Sequence, residues 1–207
     1  MQYHITKANI ITTLITLFAA TAVLYPLSVR FQATQWAFDS HLPMMLFPFF
    51  GLLAASLLWL HSLMGAFENW LRKYIPFDIT VNVTALIILI SLILHPLLLL
   101  IGMQFSMKNI YLYYGTIPVT LGIISWLLLI SYDVVKALKR KFQFFSKHWN
   151  AVLIISNIGF LLSFFHALKI GSTLQSGPTR VVWIFYGITA FLCIAYTYAV
   201  KPFFIKK

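Results

Sequence analysis

The sequence predicts an all-α protein that crosses a membrane six times. Three observations favour this fold class: 61% of the 207 residues are hydrophobic, only 9% are charged, and the mean hydropathy is +0.89. Fifteen basic and four acidic side chains cannot cover the surface of a water-soluble globule of 23.8 kDa, whereas a lipid-facing surface needs no such cover. The composition therefore excludes a soluble enzyme, a secreted disulfide scaffold and a disordered chain.

Six apolar runs are long enough to cross a bilayer as helices, since one crossing takes about 20 residues. They cover residues 8–26, 44–66, 80–103, 111–135, 150–170 and 181–200. The connections are too short for a nucleotide-binding or flavin-binding domain, so residues 1–207 are predicted to form a single transmembrane domain. The first run lacks a small-residue cleavage site and is expected to stay in the protein as an anchor.

Prolines mark the expected ends and kinks of these helices, because proline lacks the backbone N–H that a helix needs. Those that bracket the first connecting loop or precede the third and sixth spans are Pro26, Pro43, Pro48, Pro76 and Pro178. Pro96 and Pro118 lie inside spans, and Pro96 is expected to widen the helical turn beside His95. The sequence shows no convincing internal repeat.

Lysine and arginine are distributed unevenly between alternate connections. Eleven lie on the side that holds both termini, and four lie on the other side, namely Arg30, Lys108, Lys169 and Arg180. Because cytoplasmic loops keep an excess of positive charge, both termini are predicted to face the cytoplasm. We therefore interpret the net charge of +11 as setting the orientation of the protein in the membrane, and not as a sign of nucleic-acid binding. The basic segment 137–147 either sets topology alone or contacts anionic lipid or an acidic partner.

Two histidines stand deep inside apolar spans, where an ionisable group is costly unless it is paired or bound. His95 and His166 lie about 15 and 16 residues into the third and fifth spans, hence at a similar depth in the outer half. Two imidazoles in this arrangement can hold one heme iron from opposite sides. The alternative is a structural pair, each histidine hydrogen-bonded to a hydroxyl or carbonyl. Another metal would need further ligands, which the spans do not offer at that depth.

The remaining candidates for chemistry are weaker. His61 and His148 lie near the cytoplasmic ends of the second and fifth spans and are expected to be interfacial, with a substitute inner metal site as the alternative. The single cysteine, Cys193, lies inside an apolar run and is expected to pack as a small hydrophobic residue.

Several segments of the chain occur in an order that is typical of a known family. They are GLLAASLL, FENWLRKYIPFD, LHPLLLL, LGIISWLLL with the basic loop after it, and FHALKIGSTLQSGPTR. From about residue 50 to 203 the chain thus resembles the ferric-reductase-like transmembrane domain. This is the heme-bearing membrane core of ferric reductases, NADPH oxidases and the bacterial methionine sulfoxide reductase membrane subunit. The resemblance puts His95 and His166 at the outer-heme ligand positions.

The chain departs from the family pattern at the inner heme. Family members carry a second histidine 13 or 14 residues before each outer one, and the corresponding residues here are Val81 or Asn82 and Val152 or Leu153. None of these is a good axial ligand, so the resemblance implies one heme and no usual inner site.

The resemblance implies a membrane cytochrome b with one bis-histidyl heme b, acting as an oxidoreductase component that transfers single electrons. Lys169 and Arg180, on the external side, are candidates to pair with the heme propionates. The expected partners are lipid, a quinol or a separate flavoprotein as electron donor, and an external acceptor; no flavin site is expected in this chain. The expected location is a prokaryotic cell membrane. The alternative is a non-redox membrane subunit or small permease that keeps the scaffold without heme.

Overall fold

The computed structural model describes residues 7–36 and 39–204, and among them no β-strand occurs. Six of the helices are long and apolar enough to cross a membrane. They are α1 (Lys7–Gln32), α2 (Leu42–Ala66), α3 (Phe77–Gly102), α4 (Thr116–Leu138), α5 (Trp149–Ile170) and α6 (Gly177–Phe204). The predicted all-α membrane fold with six spans is therefore confirmed.

Two prolines that were predicted to bracket the first connection lie inside helices instead. Pro26 is buried within α1, which continues to Gln32, and Pro48 lies within α2. Predicting that the first span ends at residue 26 was wrong. Proline frees one carbonyl of the preceding turn, and a membrane helix tolerates this where neighbouring helices or side chains satisfy the freed group.

The fourth span also begins later than predicted. A short helix, Met107–Tyr114, precedes α4 and ends at Gly115, whose φ is 84°. Glycine adopts this left-handed conformation without the steric cost that a side chain would bring. The apolar run that begins at residue 111 is therefore divided between two helices, and only the second one is long enough to cross the membrane.

The bundle consists of two tightly packed hairpins and two covering helices. The most extensive helix contacts join α2 to α3 and α4 to α5, while α1 and α6 pack mainly on α2. The two hairpins contact each other much less than the helices within each hairpin do. Space is thus left between the hairpins, inside the bundle.

A buried aromatic pair fastens the covering helices to α2. The rings of Trp59 and Tyr186 stack with centroids 4.0 Å apart and planes 10° apart. Trp59 Nε1 donates to Thr189 Oγ1 at 2.8 Å, and Tyr186 Oη donates to the Ala22 carbonyl at 2.7 Å. In lipid, where apolar burial between helices gains little, such packing and hydrogen bonds hold helices together. These contacts join α1, α2 and α6.

Small residues allow α4 and α5 to approach closely. A Cβ atom added at Gly159 would lie 2.8 Å from Leu128 Cβ and 3.1 Å from the Ser125 carbonyl oxygen. The Ser125 hydroxyl donates to the Gly159 carbonyl at 2.8 Å. Glycine and serine at a helix contact are typical of membrane bundles, because they let the two backbones come together.

Both ends of the described chain lie at the same end of the bundle. Near the beginning, Thr12 Oγ1 donates to the Tyr74 carbonyl at 2.8 Å, and near the end, Lys201 Nζ donates to the Gly65 carbonyl at 2.9 Å. We name this the basic end, after Arg72, Lys73, Lys136, Lys139, Arg140, Lys141, Lys147 and Lys201, and the opposite one the far end. That the basic end faces the cytoplasm stays a prediction.

Replacing Gly159 with valine should loosen the second hairpin. The added side chain meets backbone atoms of α4, which cannot move aside, so a cost of about 1–3 kcal/mol is expected. Thermal unfolding of the detergent-purified protein, followed by circular dichroism, should show a lower midpoint. Ala151→Val, on the exposed face of the same helix, should leave the midpoint unchanged. Equal midpoints for the two variants would show that α4 and α5 do not pack closely at Gly159.

Candidate functional site

A cavity of about 740 Å³ lies between the two hairpins in the far-end half of the bundle. Its size falls within the range of about 300–1,000 Å³ that is usual for ligand sites. Apolar and aromatic side chains form much of its wall, among them Phe47, Leu52, Leu92, Trp126, Leu129 and Trp183. Both deep histidines, His95 of α3 and His166 of α5, also line it. We call this space the large cavity.

The structure brings His95 and His166 together across the large cavity. Their ring centroids are 6.4 Å apart and their planes are almost perpendicular, at 88°. Two imidazoles on opposite sides of one metal, with about 2 Å from metal to nitrogen and roughly 1 Å more to each ring centre, have centroids about 6 Å apart. The spacing of the two rings would therefore allow both to bind one metal ion, and it also suits an edge-to-face contact between the rings, for which centroids lie about 4.5–7 Å apart.

Each imidazole is fixed by one hydrogen bond to the first helix of its own hairpin. His95 Nδ1 bonds to the Phe47 carbonyl at 2.7 Å, and His166 Nδ1 bonds to the Pro118 carbonyl at 2.8 Å. Because a carbonyl oxygen only accepts, Nδ1 carries the hydrogen in both rings and the lone pair lies on Nε2. Histidines that bind metals commonly donate their other N–H to a carbonyl or carboxylate in this way.

A glycine one helical turn after each carbonyl makes room for the ring. A Cβ atom at Gly51 would lie 2.8 Å from His95 Nδ1, and one at Gly122 would lie 2.6 Å from His166 Cε1. A side chain at either position would thus push the imidazole away from the carbonyl that orients it. The two glycines are part of the site although neither has a functional group.

The same construction occurs twice in the chain. In each hairpin the histidine follows its carbonyl partner by 48 residues, with the glycine one turn after that partner. The repeat is hard to see in the sequence. It consists of three positions, namely the carbonyl residue, the glycine and the histidine, and only the last two are the same residue in both hairpins. The carbonyl belongs to Phe47 in one hairpin and to Pro118 in the other. Each hairpin therefore supplies one oriented imidazole.

Two cationic side chains lie at the far-end rim of the large cavity, Arg30 of α1 and Lys169 of α5. Arg30 donates to Ser172 Oγ at 3.2 Å and to the Met45 carbonyl at 3.4 Å. Its Nε is buried and has no hydrogen-bond partner among the residues that the structure describes. The sequence did not identify Arg30 as a residue of the site, because the first span was predicted to end at residue 26.

Arg180 lies at the head of the sixth span, as the sequence suggested, and its guanidinium is bound to a backbone carbonyl. Its Nη1 donates to the Leu174 carbonyl at 3.0 Å. It is not among the described residues that line the large cavity, whereas Lys169 is. Arg180 stands in the first turn of α6, where the carbonyl of the preceding connection holds its guanidinium. Of the two predicted propionate partners, Lys169 lines the cavity directly, whereas Arg180 contacts its wall through the Leu174 carbonyl.

A smaller cavity of about 200 Å³ lies toward the basic end and shares Leu58, Leu92 and Leu129 with the large one. It is smaller than usual ligand sites. Its wall includes the polar side chains of His61, Asp133, Ser156, Asn157, Thr197 and Tyr198. Of the four residues at the inner-heme positions, Leu153 lines this cavity. A layer of leucines thus separates the paired histidines from this polar space.

The structure does not bring His61 and His148 together. His61 Nε2 pairs with Thr84 Oγ1 at 2.6 Å, and it lines the smaller cavity. The His148 ring lies 4.6 Å from the Phe144 ring between centroids, tilted by 49°, and His148 is not among the described residues of that wall. Across residues 7–36 and 39–204, no group of three or more His, Cys, Asp or Glu side chains forms a metal site.

Comparisons with known proteins identify no matching family model, no matching curated protein and no matching solved structure. The likeness to the ferric-reductase-like domain therefore stays an interpretation of the sequence motifs.

Alanine at Gly51 should displace His95 and destabilise the first hairpin. The added methyl group removes the space for the ring, so the hydrogen bond to Phe47 is lost, at a cost of about 1–3 kcal/mol. The unfolding midpoint in detergent should fall. Gly65→Ala on the same helix is the matched control, since its Cβ would meet its nearest neighbour at 3.9 Å. A control that loses as much stability as Gly51→Ala would contradict the assigned role of Gly51.

Proposed function

We propose that this protein is a membrane cytochrome b that holds one heme b between His95 and His166 and transfers single electrons. One observation supports this above all others. Two imidazoles from different hairpins lie 6.4 Å apart between centroids, each oriented through Nδ1 so that Nε2 keeps its lone pair.

The residues of the large cavity fit a porphyrin in three respects. The volume of about 740 Å³ and the apolar, aromatic wall suit a large flat ligand. Two histidines suffice for such a ligand, because the porphyrin supplies the four remaining bonds to iron. The rim offers Arg30 and Lys169 to the acidic edge of the porphyrin, and the unpartnered Nε of Arg30 is a donor that a carboxylate would satisfy.

The protein's own groups have distinct tasks in this proposal. A heme held by His95 and His166 would supply one-electron transfer. The carbonyls of Phe47 and Pro118 orient the two rings and increase their basicity as ligands. The apolar wall, including the three shared leucines, keeps water and polar groups away from the site and thereby tunes its potential.

The size of the smaller cavity supports one heme per chain. At about 200 Å³ it offers less than a third of the volume of the large cavity, and Leu153 occupies part of its wall where the family pattern has a ligand. Electrons are proposed to come from a quinol or a separate flavoprotein and to leave to an external acceptor. The proposed location is a prokaryotic cell membrane, with the basic end in the cytoplasm.

The second candidate is a non-redox membrane subunit or small permease. Ionisable side chains in the wall of the smaller cavity favour it, because such residues inside a membrane often mark a path for a solute or ion. His61 and Asp133 are such residues. This candidate needs no heme, and heme content distinguishes the two.

The purified protein should contain about one b-type heme per chain, measured by pyridine hemochrome assay, with a low-spin visible spectrum. His95→Ala and His166→Ala should each abolish the low-spin spectrum, since either change leaves the iron five-coordinate at best. His61→Ala and His148→Ala remove imidazoles outside the large cavity and should change heme content little. A protein that stays colourless after expression with excess heme would favour the non-redox candidate, and heme loss confined to the two control variants would identify a different ligand pair.

Arg30→Gln should weaken heme retention about tenfold, because one charge-assisted hydrogen bond to a propionate is worth about 1.5 kcal/mol. It should also lower the midpoint potential, since a nearby cation stabilises the reduced, more negative form. Arg30→Lys, which keeps the charge, should restore most of the potential. The matched control is Arg180→Gln, which removes the same charge outside the cavity. If Arg180→Gln has the larger effect, the cavity rim has been assigned to the wrong arginine.

A further inference from the structure

The connection between α4 and α5, residues 139–148, concentrates positive charge at the basic end. We call it the basic loop. It carries Lys139, Arg140, Lys141 and Lys147 within nine residues, and it contains no acidic residue. Three of these cations, Arg140, Lys141 and Lys147, are exposed. None of the four forms a salt bridge with any residue that the structure describes.

The acidic groups at this end of the bundle are engaged elsewhere. Arg72 binds Glu68 at 3.0 Å and Asp78 at 2.8 Å, and Lys201 Nζ lies 3.7 Å from Glu68. Asp133 is partly buried in α4 and lines the smaller cavity. The charge of the basic loop therefore has no counter-charge within the described protein and is available to an external anion.

Exposed aromatic rings stand among these cations. Phe142 is 53% exposed and Phe144 is 65% exposed. They pack edge-on against Phe145, with centroids 6.1 and 5.6 Å away, and so form one cluster. A segment with basic and aromatic side chains that directly follows a spanning helix is typical of the membrane interface.

Lys139 is held beside this aromatic cluster by a cation–π contact with Trp149. Its Nζ lies 4.1 Å from the centre of the Trp149 ring, and the Ser146 hydroxyl bonds back to the Lys139 carbonyl at 3.1 Å. Trp149 begins α5. Since tryptophan at a helix end is typical of the level of the lipid headgroups, we expect this ammonium group to lie at that level.

We propose that the basic loop is a binding surface for anionic phospholipid, with its cations on the headgroup phosphates and Phe142 and Phe144 inserted among the upper acyl chains. The exposed rings favour lipid over an acidic protein, because they lie where the bilayer begins and need apolar cover there. Each lysine or arginine near an anionic membrane surface strengthens binding roughly fivefold, and salt weakens the effect. This surface is independent of heme, so its test does not depend on the proposed function.

Quenching of Trp149 by brominated lipid measures which lipid contacts the basic loop. The full chain is reconstituted into phosphatidylcholine vesicles that contain equal mole fractions of either brominated phosphatidylglycerol or brominated phosphatidylcholine. The difference between wild type and Trp149→Phe isolates the Trp149 signal from the other five tryptophans. We expect several-fold more effective quenching by the anionic lipid, and a decrease of this preference at high salt.

The double variant Arg140→Gln, Lys141→Gln should bring quenching by the two lipids close to equality, because each lost charge weakens binding to an anionic surface roughly fivefold. The matched control Lys7→Gln, Lys73→Gln removes two exposed charges from the same end and should keep the preference. Exchanging the pair as Arg140→Lys, Lys141→Arg should also keep it, which separates loss of charge from misfolding. Equal quenching of the wild-type protein by the two lipids, or a preference that survives in the glutamine variant of the loop, would overturn the proposal.

Discussion

The hydrogen bond from each deep imidazole to a backbone carbonyl is the interaction on which the site depends. It fixes the ring and the tautomer together, because a carbonyl can only accept and the lone pair must then lie on Nε2. Glycine inside a helix lowers helix stability. Gly51 and Gly122 are nevertheless needed, because the His95 and His166 rings lie where a side chain at these positions would be. Two such constructions, one in each hairpin, face each other across the large cavity.

Loose packing between the hairpins gives that cavity its volume, and tight packing within each hairpin gives it rigid walls. Gly159 and Ser125 bring α4 and α5 together, while the Trp59–Tyr186 stack joins the covering helices to α2. A lipid-embedded bundle has little apolar driving force to close an internal space, because lipid tails solvate apolar side chains as well as other side chains do. The space is therefore compatible with a stable fold, and a large apolar ligand would fill it.

The fold was largely predictable from composition. Long apolar runs in a chain with so few charges indicate membrane spans, and a helix satisfies all backbone hydrogen bonds of such a span within the span itself. The depth match of His95 and His166 was also visible, because helical rise converts position in a span into depth. What could not be predicted depends on contacts between distant residues. The carbonyl partners, the role of the glycines and the position of Arg30 at the rim all follow from helix packing. Pro26 misled the prediction because neighbouring helices can satisfy the carbonyl that a proline frees.

Electron paramagnetic resonance of the oxidised protein tests most directly whether His95 and His166 bind one iron. If both rings bind one iron and keep their planes 88° apart, the ferric protein should give a strongly anisotropic low-spin signal with a large maximum g value. The signal should disappear in His95→Ala and in His166→Ala. A high-spin signal in the wild-type protein, or a low-spin signal that survives both substitutions, would contradict the account.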